Sequence, residues 1–533
     1  MATLTKYNTR RIISIFVEVR GSNSPNNEWH NKPGDVIIHQ QRPKQYRLRR
    51  VLGVAGLFSA AYGNVGSSIY YALGIVALVA IGATPVALLL AGLLFILTAL
   101  SYAEGTAMLP EAGGSASFAR HAFNDLVGFC SGWGLMLSYI VTIAISAYTI
   151  PPYLGYFDAL APLKDDPIVG TAVSMGVVFF LMVVNVVGVK ESTKLNVFST
   201  AVDLITQISL IILGFVLIFE VAVLSTHMFG AGNWPPDWGQ LIGGIEGYWP
   251  NTTSLLFGIA LAALAFTGVE TVSQMAEETK SPEVRAPRAL MLMTVTVLVI
   301  FGGISIVALS AMTPAELSGE WARDPIAGIA DKLEQDPLVT DTVAATLEDL
   351  YKPLVAILAT TILLIATNAG LLGISRLAFS MGTHQQLPSA FSRIHSRFRT
   401  PYVAIILFCL VAILILIPGF FSPNFFEDLG ALYTFGSLLS FALAHASILV
   451  LRVRRPDAKR PFKVKGCIKI RGHELPVTAI IGFIATFGIW IVILASQPYA
   501  RLAGISWMVM GLLIYYLYRR HLNLGMMRAD EEN

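Results

Sequence analysis

Apolar residues in this chain run in long, nearly unbroken stretches, not in the alternating or one-sided patterns of a soluble fold. A bilayer core of about 30 Å takes roughly 20 apolar residues at about 1.5 Å of helical rise each. By that length, spans are expected near 51–80, 85–108, 126–157, 167–189, 196–220, 252–275, 288–312, 353–379, 402–421, 429–451, 475–495 and 500–518. Lipid offers no partner to an open backbone group, so spans of this kind are helices. The expected fold is therefore an all-α integral membrane protein of about twelve transmembrane helices, the last two forming a tight hairpin.

The polar stretches between the spans set an orientation. Arg393, Arg397 and Arg399 follow the eighth span, and a run from Arg452 to Arg471 follows the tenth. With Arg42, Lys44, Arg47, Arg49 and Arg50 ahead of the first span, all fall on one side of a twelve-span chain. The positive-inside rule makes that side cytoplasmic. The loop between spans seven and eight is acidic, from Glu316 to Asp349, and is expected outside with a short amphipathic helix around 341–350. The chain then divides into a cytoplasmic N-terminal tail (1–50), a first five-helix group (51–220), an extracytoplasmic loop (221–251) and a second five-helix group (252–451). A basic cytoplasmic loop (452–474), a C-terminal helix hairpin (475–518) and a cytoplasmic tail (519–533) complete it.

Composition agrees with this reading. Of 533 residues, 55% are hydrophobic and 13% charged, against about 25% charged in soluble proteins. Cys130, Cys409 and Cys467 share no close spacing, so no metal or redox site is expected of them. There is no phosphate-binding loop, no His-Glu-x-x-His pattern, no Gly-x-Ser-x-Gly elbow and no aromatic-laced basic tract for nucleic acid. No cofactor is expected, and the energy source is expected to be an ion gradient.

Two spans carry polar, glycine-bearing stretches near mid-depth. From Arg50 to Gly63 is about 20 Å of helix, which sets Gly63-Asn64-Val65-Gly66-Ser67-Ser68 near the bilayer centre. Glycines and hydroxyls there weaken a helix and find no partner in lipid, so an unwound segment facing a cavity is expected, with amides able to hold a carboxylate. Span six repeats the feature in Ala265-Phe266-Thr267-Gly268-Val269-Glu270, whose freed carbonyls suit an ammonium group. Gly63 and Gly268 lie at matched depths in helices running in opposite directions, the arrangement of an inverted repeat. Taken singly, each glycine is better explained by close helix packing; the pair at matched depth with polar neighbours favours a binding site.

These stretches, with Tyr102-Ala103-Glu104, Pro110 to Ser115, Gly188-Val189-Lys190-Glu191-Ser192, Ala276 to Pro282 and Arg452 to Pro456, resemble the amino acid–polyamine–organocation (APC) superfamily of permeases over roughly 51–465. The resemblance implies a leucine-transporter-like fold: a 5+5 inverted repeat plus two C-terminal helices, with substrate held between the breaks of spans one and six. Gly63, Asn64, Gly66, Ser67, Ser68, Tyr70, Phe266, Thr267 and Gly268 are then the candidate substrate-binding residues. Where the family's span-one signature ends in glycine, this chain has Ser68.

Asp203 lies nine residues after Lys194, about 13 Å into the membrane. A carboxylate at that depth is costly unless protonated, paired or bound to a cation. In proton-coupled relatives a lysine resembling this position is the protonatable group, so Asp203 is the candidate coupling-ion residue for a proton or sodium; the alternative is a structural Asp bonded to a nearby hydroxyl. Thr367 and Asn368 in span eight resemble the family position that lines a second cation site, although membrane hydroxyls often bond their own helix. Glu104 and Glu270 are expected in structural or gating roles, Glu104 in an ion pair. The expected function is a secondary active transporter, not an enzyme, moving amino acids or related amines by proton-coupled symport with alternating access. A potassium importer on the same scaffold and an amino acid exchanger stand as alternatives.

Overall fold

A computed structural model of the chain describes residues 50–188, 193–266, 268–335, 351–398 and 400–527, leaving out the side chains of 193–196. The tail 1–49, the stretch 189–192, Thr267, the helix expected around 341–350, Arg399 and residues 528–533 lie outside the described residues.

Among the described residues, helices occupy each stretch where a membrane span is expected. The first half holds α1 (Val54–Gly66), α2 (Ile69–Ala80), α3 (Thr84–Met108), α4 (Ser115–Ala122), α5 (Asp125–Leu154), α6 (Pro167–Val187), α7 (Thr193–Leu217) and α8 (Val221–Phe229). The second half holds α9 (Thr252–Ala262), α10 (Val269–Gln274), α11 (Pro282–Ala311), α12 (Pro325–Glu334), α13 (Lys352–Thr383), α14 (Tyr402–Leu416) and α15 (Phe425–Arg454). The C-terminal pair is α16 (Val477–Ser496) and α17 (Pro498–His521), joined by Gln497 alone.

Among the described residues, eleven helical runs are long and apolar enough to cross a membrane. The first, Val54–Met108, covers 55 residues, about 80 Å if straight. It is interrupted at Ser67–Ser68 and again at Ile81–Ala83, where Ile81 adopts φ 46°. Such a run is far longer than one crossing needs.

Burial sorts the helices into an inner and an outer set. From Gly128 to Tyr153 nearly every residue of α5 is buried, and it packs on α13 and α15. A helix apolar all round is stable only with neighbours on every side. Around it, α1 packs on α7, α10, α11 and α13, while α2 packs on α9 and α3 on α11. The outer helices present bare apolar side chains: Phe180 on α6, Ile205 and Val216 on α7, Leu414 on α14 and Ile484 on α16. Exposed apolar area on this scale suits lipid, not water.

The basic segment after α15 holds an element not foreseen as more than a loop. Strands β1 (Cys467–Ile470) and β2 (His473–Pro476) pair antiparallel, with Ile470 opposite His473. The two-residue turn between them places Arg471 at φ 50° and Gly472 at φ 87°, the left-handed pair that matches strand twist in a tight hairpin.

Candidate functional site

The two interruptions differ in kind. In span six, α9 tightens into a turn over Ala263–Phe266, and Gly268 then takes φ 106° before α10 begins. That conformation suits glycine, and so does the contact: a Cβ on Gly268 would lie 2.5 Å from Val65 Cγ2 and 2.8 Å from the Ala61 carbonyl. The break of span six therefore rests directly on α1.

In span one the expected unwinding is corrected to a single tightened turn. Ser67 and Ser68 keep right-handed helical dihedrals, and the amides of Ser68, Tyr70 and Tyr71 bond carbonyls three residues back. The Ser67 and Ser68 hydroxyls donate to the Asn64 carbonyl at 3.0 and 3.4 Å, so short side chains satisfy the backbone that would otherwise need a cavity. Asn64 ties the two breaks together: its Nδ2 lies 3.5 Å from Thr271 Oγ1 on α10, and its buried Oδ1 has no hydrogen-bond partner among the described residues.

The chemistry concentrates on Asp203, which is fully buried on α7. Tyr70 donates to its Oδ1 at 2.5 Å and Tyr62 to its Oδ2 at 2.8 Å. Both tyrosines come from the helices flanking the first break. Gly66 makes this arrangement possible, because a Cβ there would lie 2.5 Å from the Tyr62 ring. The glycine's demonstrated contact is thus with Tyr62. Tyr70 is fixed in turn by Tyr153, whose hydroxyl donates to the Tyr70 carbonyl at 2.8 Å and whose ring meets it edge-on at 5.5 Å. Tyr62 was absent from the expected site. Its signal was faint, a lone phenol one turn before Gly66.

Other expected residues go elsewhere. Gly63 faces Ile365 of α13. The Phe266 ring packs in the core between Phe95 of α3 and Phe301 of α11, at 5.4 and 5.3 Å. The Thr367 hydroxyl donates to the Leu363 carbonyl of its own helix, and Asn368 accepts from Asn185 of α6 at 2.5 Å. Both side chains are thus engaged by helix neighbours, whereas Asp203 is bonded by Tyr62 and Tyr70. Glu270 sits in the first turn of α10, where a carboxylate meets unpaired amides and the positive helix end. It is buried, faces the amides of Gly268 and its own residue, and its Oε2 has no partner among the described residues. Glu104 forms the expected ion pair: Arg452 of α15 grips both oxygens at 2.6 Å, and the Val464 amide adds a bond of 2.9 Å.

Two ion pairs lie near these helices. Lys164 bonds Asp324 at 2.7 Å and lies 4.5 Å from the Trp321 ring. Burial raises the Asp324 carboxyl, and Lys164 opposes that rise. Arg376 of α13 pairs with Glu278 at 3.0 Å, and the Glu278 carbonyl accepts from the amides of Val51 and Leu52.

Residues 52–517 match the amino acid permease family. The chain is similar to the branched-chain amino acid permease BcaP of Bacillus subtilis, 26% identical, over 90% of this chain and 95% of that protein. It is likewise 26% identical to the methylthioribose transporter of Bacillus subtilis, over 92% of this chain and 98% of that protein. The large neutral amino acids transporter small subunit 2 of Mus musculus is 23% identical, over 93% of this chain and 87% of that protein. With the match reaching from before α1 into α17, and bare apolar helices around a buried polar centre, the chain belongs to the amino acid permease family: a multi-pass membrane protein and secondary transporter that moves small solutes, amino acids or amines, across the bilayer.

Proposed function

We propose that the protein imports an amino acid or related amine by proton-coupled symport, with Asp203 as the residue that takes up and releases the coupling proton. The observation that carries this reading is the buried Asp203 carboxylate held by Tyr62 and Tyr70, one from each side of the first helix break. A change in its charge alters both bonds and so acts directly on the segment that would hold substrate. The contact of Gly268 with Ala61 and Val65, and the ion pairs Lys164–Asp324 and Arg376–Glu278, support an occluded conformation between openings. On this reading the Val54–Met108 run crosses twice, giving twelve crossings in a 5+5 inverted repeat plus a hairpin, with both termini cytoplasmic. Substrate then separates the turn at Ser67–Ser68 from Ala263–Gly268, contacting Asn64 and the carbonyls of the second break.

The test is uptake by purified protein in liposomes across a panel of amino acids and amines, with and without an inward proton gradient. Gradient-dependent accumulation of at least one is expected; none across the panel would refute the proposal. A potassium importer is the second reading, favoured by two oxygen-bearing groups buried in the core, the Asn64 Oδ1 that has no partner among the described residues and the tyrosine-held Asp203 carboxylate. Rescue of growth in a potassium-uptake-deficient strain decides for it.

A further inference from the structure

The β1–β2 hairpin is tied down on one face and bare on the other. Side chains alternate across a strand, so Cys467 and Lys469 share one face of β1 and Ile468 and Ile470 the other. The Cys467 face turns toward the protein: its sulfur lies 3.7 Å from Arg452 Nη1 and 3.4 Å from the Val464 carbonyl. The opposite face leaves Ile468 and Ile470 exposed by 43% and 44%, with Leu475 paired beside Ile468. A two-stranded ribbon with an open apolar face is marginal in water and calls for a cover.

Position and charge say what that cover is. No residue separates β2, ending at Pro476, from α16, starting at Val477. The 20 residues of α16 span about 30 Å, the thickness of the hydrocarbon core. Val477 therefore sits at the edge of the core, and strands of about 13 Å lie in or against the headgroup layer. The segment from Lys463 to Glu474 carries Lys463, Lys465, Lys469 and Arg471 against the single carboxylate of Glu474, which Lys463 engages at 2.7 Å. Lys463, Lys465 and Lys469 line a depression of about 460 Å³ beside the ribbon.

We propose that this hairpin is a docking surface for the headgroups of anionic phospholipids in the membrane that holds the protein. Lys465 and Arg471 meet the lipid phosphates while Ile468 and Ile470 enter the boundary with the acyl chains, and Lys469, on the other face of β1, adds to the positive field that attracts them. The surface is also anchored to the helix bundle, because Glu104 of α3 is bonded both to Arg452 of α15 and to the Val464 amide that leads into the hairpin.

The test uses full-length protein in nanodiscs of phosphatidylcholine alone or with phosphatidylglycerol, followed by hydrogen–deuterium exchange. Exchange of the amides of 463–476 is expected to slow at least several-fold with phosphatidylglycerol, and the protection to weaken in high salt. The triple variant K465Q/K469Q/R471Q is expected to lose the difference while keeping the wild-type exchange pattern elsewhere. Equal exchange in the two lipids, or protection retained in the triple variant, overturns the proposal. Inorganic phosphate added to phosphatidylcholine discs is expected to protect nothing; protection there would assign the site to a free anion and overturn the lipid docking.

Discussion

Replacing Asp203 with Asn separates the charge of this side chain from its shape. The carboxylate accepts one bond from Tyr62 and one from Tyr70. Hydrogen bonds to a charged group contribute about 1.5–3 kcal/mol each, neutral ones about 0.5–1.5 kcal/mol. Asn keeps one acceptor, and its amide donates to the other tyrosine hydroxyl, which rotates to accept. The exchange therefore weakens two bonds by roughly 1–1.5 kcal/mol each. It also relieves the desolvation of a buried charge, which costs several kcal/mol. The two effects oppose, so stability is expected to change by no more than about 2 kcal/mol, with expression retained. Transport is expected to split. In proteoliposomes D203N should lose accumulation driven by an inward proton gradient yet still exchange labelled for unlabelled substrate at equal pH. A variant that accumulates substrate with its proton dependence intact refutes the coupling role. D203A is the contrasting control, since it strands two buried hydroxyls at about 1–3 kcal/mol each and is expected to lower the melting temperature.

Three further outcomes are expected. G268A forces a side chain into a left-handed conformation and onto the Ala61 carbonyl; a loss of about 1–3 kcal/mol or more is expected, read as a lower melting temperature together with lost uptake. E104A leaves the Arg452 guanidinium buried without its carboxylate, costing about 3–5 kcal/mol, and E104A/R452M should recover part of that in the same melting assay. For acid sensitivity, partial burial alone would raise the Glu316 carboxyl, but bonds from Lys332 and Thr313 outweigh it and hold it below its usual 4.5. Its contribution is therefore complete above pH 4.5 and lost as pH falls through the lower folded value. Amide exchange over 313–334 should accelerate in that acid range in the parent protein and lose this dependence in E316Q.

Much of the site was legible because depth in a membrane is a one-dimensional quantity. Counting residues from a charged boundary sets Gly63 near the expected bilayer centre and Asp203 about 13 Å in, and in the structure Asp203 is buried while Gly63 and Gly268 pack on Ile365 and α1. Glu104 was read as an ion-pair member for the same reason, since a carboxylate at an inner helix end needs a cation. What the count does not carry is azimuth. Phe266 has the right depth and faces Phe95 and Phe301; Thr367 has the right depth and bonds its own backbone. Tyr62 has both depth and azimuth, and nothing in its local pattern distinguishes it from a packed aromatic.

The linear order of apolar and polar residues by itself determined the helices, their lengths and the membrane as solvent, because a backbone group in lipid must be satisfied within its own helix. It also determined where regular helix is weakest, since glycine and serine act on their own turn. Only the tertiary structure decided that the first weak point closes on itself through Ser67 and Ser68, that Gly66 yields its space to Tyr62, and that Asp203 meets two phenols. The first two are contacts within one or two turns whose rotamers the surrounding packing selects, and the last depends on residues more than a hundred positions apart, as Glu104 with Arg452 also does. Side-chain partners at that separation are set by how helices rotate against one another, a choice made by packing the whole bundle.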